Sequence, residues 1–413
     1  MTPRSGVMRA KRQGPRPLPL HLAAAALTSA TSSPALALWK SGLLPWSGPR
    51  ARAAAELSDA LADVDPKAFA SAVERAARAR LGRFMDGVQT YRRHPYRRTL
   101  VDPPCVWQDG AVRLLDYGAD LPAAAPALLV VPSLVNRSFV LDLSAGRSLL
   151  RHLAGEGVRP LLVDWGKPGP IESTFTLTDY IAGPLEGALD ATLTLTRGSV
   201  GVLGYCMGGL LALALALRRQ NDIAHLTLLA TPWDFHADLA LARRVAAALP
   251  WLNLITDSLG AMPVDVVQSL FFALDPYLVT RKFEALAGLD RRADAVTAFV
   301  ALEDWINDGV ALAAAVAREC LAGWYAANTP ARLAWRVAGR VVDPAQFTRP
   351  ALVVVPAQDR IVPPASARAL AHALPAAHSL RPALGHIGMV VSNAARTSVW
   401  DPLATWCRAQ ASA

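Results

Sequence analysis

SVGVLGYCMGG, residues 199–209, joins an apolar run to a helical one through a cysteine set among glycines. SVGVLGY ends directly at Cys206, and the helical pattern MGGLLALALALRRQ begins directly after it. A strand and a helix that meet at a single residue require a sharp turn. Its central residue takes a strained backbone, and its neighbours must lack bulk so that strand and helix can approach closely. Gly204, Gly208 and Gly209 meet that requirement. The sulfur of Cys206 then sits at a helix N-terminus, where peptide dipoles and free N–H groups favour a thiolate and can hold an oxyanion.

Outward from this turn, further apolar runs occur: ALLVVPS at 127–133, RPLLVDW at 159–165, HLTLLAT at 225–231 and ALVVVPA at 351–357. Continuous rather than alternating hydrophobicity marks strands buried on both faces, as in parallel sheets covered by helices. Helix-length segments separate the first four runs, so the expected fold is α/β with a doubly wound, mainly parallel sheet. With the cysteine turn as its nucleophile elbow, this is the α/β-hydrolase fold. Residues 232–347 break the rhythm and read as an inserted, mostly helical cap rich in aromatics such as Phe271, Phe272, Tyr277, Trp305, Trp324 and Tyr325. The expected organisation is a basic and apolar arm (1–50), a helical region (51–110), the first part of the core (111–231), the cap (232–347) and the second part of the core (348–413).

Partners for the cysteine follow in the order nucleophile, acid, histidine. Asp359 lies just past the run ALVVVPAQ, at the sheet edge where ligands of open α/β sheets bind. His386 lies in ALGHIGMV, flanked by Gly385 and Gly388, in a loop after HSLRP. The imidazole can take the thiol proton and return it, while the carboxylate fixes its tautomer. The backbone N–H of Met207 is the expected first oxyanion donor, with a second from Leu134 or Val135 in PSLVNR. The bland alternatives are a packed cysteine, a helix-capping Asp359 ahead of Pro363 and Pro364, and a structural His386.

Composition narrows the field. The 413 residues can bury a large core, and no apolar run reaches the ~18 residues of a membrane span. The net charge of +9 comes without a long basic block beyond the N-terminus, which disfavours nucleic acid and suits an anionic substrate or surface. The four cysteines lie far apart without metal-ligand spacing, so no metal is expected, and Cys105, Cys320 and Cys407 read as small buried hydrophobes. Arg4, Arg9, Lys11, Arg12 and Arg16 ahead of LPLHLAAAALTSA mimic a secretory signal, but His21 and the prolines at 15, 17 and 19 oppose it. A docking or surface-seeking arm is the preferred reading.

The residues resemble the polyhydroxyalkanoate synthases, especially the shorter kind that works with a second subunit. GYCMGG is similar to that family's synthase box, and VPSLVNRSFVLDL to its oxyanion-side loop. LLVDWGKP, LTDYI, TPWDFH, FVALEDWINDG, AQDRIVPP and GHIGMVVS extend the likeness across residues 100–410. The resemblance implies that Cys206 carries the growing chain as a thioester, that His386 deprotonates it, and that Asp359 helps activate the 3-hydroxyl that attacks. It also implies a hydroxyacyl-CoA substrate, no cofactor, a cytoplasmic place at a polyester granule surface, a homodimer and a second synthase subunit. Trp233, Asp234, Asp164 and Trp165 are expected to shape loops. A thioesterase or intracellular polyester depolymerase would use the same three residues with water as acceptor, and a non-catalytic granule protein would keep only the fold.

Overall fold

The computed structural model describes residues 12–43, 48–196, 198–290 and 292–411. The five apolar runs form β3 (Ala127–Val131), β4 (Arg159–Asp164), β5 (Val200–Tyr205), β6 (Ile223–Leu229) and β7 (Ala351–Val354). β3, β4, β5 and β7 are buried along their whole length, as their unbroken hydrophobicity demands. Three further strands complete the sheet: β1 (Cys105–Asp109), β2 (Val112–Asp116) and β8 (Ala377–Leu380). The order is β1-β2-β4-β3-β5-β6-β7-β8. β3 to β8 pair in parallel, whereas β2 runs antiparallel to both β1 and β4.

β1 and β8 escape a reading based on apolar runs because they are edge strands. CVWQD and AHSL are largely exposed and offer no continuous hydrophobic signal. The same position explains Cys105, which is exposed rather than packed, whereas Cys320 and Cys407 are buried as expected. Burial pushes the Cys407 thiol up to about 12 and the Cys320 thiol up as well, so both remain inert thiols.

The chain divides into two compact units, one of Arg97–Val267 with Asp308–Ala413 and the other of the chain up to Tyr96 with Gln268–Asn307. The sheet lies in the first. The interval 232–347, expected as one cap, is therefore shared: its middle joins the N-terminal helices. The physical reason is apolar complementarity within the second unit. Phe84, Val88 and Tyr91 of the helix Pro66–Arg93 share a core with Phe283, Leu286, Val296 and Val300. Asp304 seals it, accepting from Tyr91 Oη at 3.0 Å and Arg12 Nε at 2.6 Å. Within this unit Leu18–Lys40 is a helix with Ala25 in the core and Leu18 and Leu22 packed against it, while Leu27 and Leu38 farther along are exposed. The reading of residues 1–11 and 44–47 falls outside the described residues.

One buried group gives the sheet a pH dependence. His225 on β6 is only 4% exposed, its Nδ1 has no partner among the described residues, and burial lowers its pKa from 6.5 to about 4. Gly201 makes room for it, since a Cβ there would lie 2.3 Å from its Nε2. A depressed folded-state value means that the stability tied to the neutral ring is whole above 6.5 and is lost as pH falls through about 4. We expect roughly 3 kcal/mol of acid destabilisation from this group. Denaturant midpoints of His225→Leu between pH 7 and 4 should fall less steeply than those of the parent chain, and parallel curves would contradict the assignment.

Candidate active site

β5 ends at Tyr205 and the helix Met207–Arg218 starts at once, leaving Cys206 between them at φ 56° and ψ −126°. A positive φ on a side-chain-bearing residue is strained and is held only where its surroundings dictate it. Here the Cys206 N–H donates to Leu229 O of β6 at 2.8 Å, and Cys206 O accepts from Gly209 at 2.9 Å. The three glycines are required by contact. A Cβ on Gly204 would lie 2.4 Å from Gly209 Cα, one on Gly208 2.2 Å from Val131 O, and one on Gly209 1.8 Å from Thr231 Oγ1. Gly209→Ala is therefore expected to cost about 1–3 kcal/mol by overpacking, read as a lower denaturant midpoint. Gly146→Ala, whose Cβ meets no described atom within 4 Å, should leave it unchanged.

Opposite the elbow stand Asp359, past the end of β7, and His386, past β8. His386 Nδ1 lies 2.7 Å from Asp359 Oδ2, and both side chains are buried. The other carboxylate oxygen, Oδ1, accepts from the N–H groups of Ile361 and Val362 at 2.8 and 2.9 Å. Asp359 thus closes a turn and holds the imidazole at once, but it does not cap the helix Pro364–Ala373, which starts from Pro363 without a side-chain cap. Tyr205 backs the histidine: its hydroxyl donates to His386 O at 3.3 Å, and the rings lie 5.3 Å apart.

Burial works against a charged His386, but the negative charge of a Cys206 thiolate and hydrogen bonds to Asp359 and Cys206 outweigh it, pushing the imidazole up to about 10. A proton leaving the sulfur is therefore retained on the ring. Helix geometry adds to this, because N–H groups of the first helical turn have no intrahelical acceptor and Met207 is the first of them.

The loop after β3 lies against the start of that helix, as the contact of Gly208 with Val131 O and Pro132 requires. Of the two expected loop donors, Val135 is already engaged: its N–H donates to Ser133 Oγ at 3.2 Å and its carbonyl accepts from Val310 at 3.0 Å. Leu134 is buried, 5% exposed. Trp165 ties the loop from behind, donating from Nε1 to Pro132 O at 2.9 Å, and Asp164 takes Arg113 Nη2 at 2.6 Å. Among the described residues no cluster of three or more His, Cys, Asp or Glu could hold a metal, and no helix is long and apolar enough to cross a membrane.

Comparison with known proteins supplies the family. The profile of the α/β hydrolase fold family matches residues 126–392. The poly(3-hydroxyalkanoate) polymerase subunit PhaC of Allochromatium vinosum is 30% identical over 304 residues, 71% of this chain and 85% of that one. The chain belongs to the PhaC family within the α/β hydrolases. The PhaC of Synechocystis is 29% identical over 289 residues, 68% of this chain and 76% of its own length. That of Haloferax mediterranei is 26% identical over 313 residues, and the match spans 62% of its length.

In this PhaC-family chain, the structure brings Asp359 and His386 together beside the Cys206 elbow. It also places residues that no local pattern singled out. Asn328, buried and at φ 52°, accepts the Phe235 N–H at 3.0 Å and donates to Asp234 Oδ1 at 2.8 Å. His236 Nε2 lies 3.1 Å from Ala326 O. Asp234 and Trp233 do shape loops as expected, the latter donating its N–H to Ser366 Oγ at 3.0 Å. The only sequence hint of Asn328 is its residue type ahead of Thr329-Pro330, since asparagine tolerates the left-handed region.

Proposed function

We propose that the chain polymerises 3-hydroxyacyl-CoA thioesters into a polyester, releasing CoA, through a thioester on Cys206. The observation that carries this reading is the buried His386–Asp359 pair, 2.7 Å apart, beside a strained cysteine at a helix N-terminus in a PhaC-family chain.

The Cys206 proton passes to His386, and the sulfur attacks the thioester carbonyl. The oxyanion is held by the Met207 N–H and that of Leu134. Collapse breaks the bond to CoA, whose sulfur takes the proton from His386 and leaves as a thiol. The 3-hydroxyl of a second hydroxyacyl-CoA then gives its proton to His386 and attacks the acyl-Cys206 carbonyl. An ester forms, the Cys206 sulfur departs, and the lengthened chain, now on CoA, returns to Cys206 by the first step. Each cycle makes one ester and frees one CoA. Thioester exchange between two thiols is nearly balanced in energy, so the ester-forming step drives the cycle.

Asp359 has Oδ2 on His386 and Oδ1 on two backbone N–H groups. We therefore assign it the orientation of His386, and the activation of the attacking hydroxyl to His386 itself, rather than the direct help from Asp359 that the family resemblance implied. Residues 232–267 and 308–347 bury aromatic side chains, among them the stacked Phe235 and Trp324, and an apolar cover of this kind favours excluding water as acceptor. The granule surface, a second subunit, a homodimer and a cytoplasmic setting accompany this reading as proposals.

The test is the product formed from 3-hydroxybutyryl-CoA by the purified protein. Insoluble polyester appearing with CoA is the expected outcome; free hydroxy acid in step with CoA would make the chain a thioesterase.

A further inference from the structure

The residue before the nucleophile, Tyr205, reaches from the end of β5 to the other half of the site. Asp359 and His386 belong to one piece of backbone. The N–H groups of Ala357 and Gln358 donate to Pro382 O and Leu384 O, each at 2.9 Å, and Asp359 Oδ2 lies 2.7 Å from His386 Nδ1. The elbow belongs to another piece, held to β6 by the Cys206 N–H on Leu229 O. Proton transfer between Cys206 and His386 requires the two pieces to keep a fixed separation. The Tyr205 hydroxyl spans them, donating to His386 O at 3.3 Å.

That bond has no substitute at either end. Among the described residues the hydroxyl makes no other hydrogen bond, and His386 O accepts from no other donor. Tyr205 is 3% exposed, and its ring lies 5.3 Å from the His386 ring at 32°, contacts that a phenylalanine would make equally well. A phenol hydroxyl buried this deeply is costly unless bonded, and once bonded it adds little net to folding. Its consequence is therefore local: it fixes the main chain of the residue whose side chain takes the thiol proton. Burial, with the negative charges of Cys206 and Asp359 behind it, keeps the phenol protonated, so it remains a donor while the thiolate forms.

We propose, resting on the Cys206 thioester reading, that Tyr205 is a positioning residue of the acyl-transfer site, its hydroxyl tying His386 to the elbow and so setting the approach of the imidazole to the Cys206 sulfur. No proton leaves the phenol, and no substrate atom meets it. Losing the bond lets His386 shift relative to the sulfur. The barrier to proton transfer then rises, while substrate binding is left alone.

The experiment compares the full chain with its Tyr205→Phe and Cys206→Ala variants. It follows CoA release from 3-hydroxybutyryl-CoA, thermal melting, and the rate at which iodoacetamide alkylates the Cys206 peptide at neutral pH, with the exposed Cys105 as reference thiol. Tyr205→Phe should melt close to the parent, with kcat lowered roughly 5- to 20-fold and KM within about twofold. Alkylation of Cys206 should slow by about threefold or more while that of Cys105 is unchanged, because a displaced imidazole leaves less thiolate. A packing role alone would move alkylation the other way, since a loosened elbow exposes the sulfur. Parental kcat overturns the proposal, and so does Cys206 alkylation as fast as the parent's or faster, whatever the melting point. Alkylation needs no substrate, so it decides the outcome independently of turnover. Failure of the underlying reading shows separately, as CoA release that persists in Cys206→Ala.

Discussion

Cys206→Ala should abolish CoA release from 3-hydroxyacyl-CoA, by roughly 10⁴-fold or more, as loss of a covalent nucleophile does. The effect should be chemical and not structural. Alanine removes one sulfur from a partly exposed position and leaves the backbone hydrogen bonds of the elbow, to Leu229 and from Gly209, in place. The positive φ at this position is maintained by those bonds and by the glycine contacts, none of which needs the thiol. The variant should therefore melt close to the parent chain and still bind substrate. Steady-state CoA release read with a thiol reagent, beside equilibrium binding of the CoA ester, separates the two consequences.

Asp359→Asn carries the second large effect, a fall in kcat of roughly 10³-fold with folding retained. The asparagine carbonyl can still accept the N–H groups of Ile361 and Val362, so the turn persists. The amide nitrogen then faces His386 Nδ1, where the carboxylate oxygen stood at 2.7 Å. A donor there selects the imidazole tautomer whose Nε2 carries the proton and faces the thiol, and that ring cannot accept a proton from sulfur. The lost carboxylate also withdraws part of what keeps the imidazole protonated once the thiolate forms. Circular dichroism and a denaturant midpoint near the parental value, with kcat lowered and KM little changed, are the expected combination. Parental kcat would detach Asp359 from the reaction.

Much of this site was legible along the chain because its chemistry is carried by local patterns. A buried strand ending on a cysteine among glycines, an acid past a second buried strand and a histidine between glycines are each readable within about ten residues, and their order assembles them. The inner strands were legible for the same reason: Leu128–Val131 and Leu161–Val163 are continuous apolar runs with both faces covered. Other features depend on tertiary contact and leave no local trace. The clamp of Asn328 on Asp234 and Phe235 joins segments more than 90 residues apart, |i−j| = 94 for its side-chain bond to Asp234. The split of 232–347 follows from Phe283, Leu286, Val296 and Val300 finding their partners in Phe84, Val88 and Tyr91, a match invisible in either segment alone. Val135 and Leu134 could be separated as donors only once Ser133 was seen to occupy the former.

The central claim is tested most directly by acid-quenching the protein within its first turnovers on 3-hydroxybutyryl-CoA and weighing the peptide that contains Cys206. The account predicts a ladder of masses on that peptide, spaced by one hydroxybutyryl unit and removed by hydroxylamine as thioesters are. CoA release with an unmodified Cys206 peptide, or with a single unit that never extends while free acid accumulates, would contradict it.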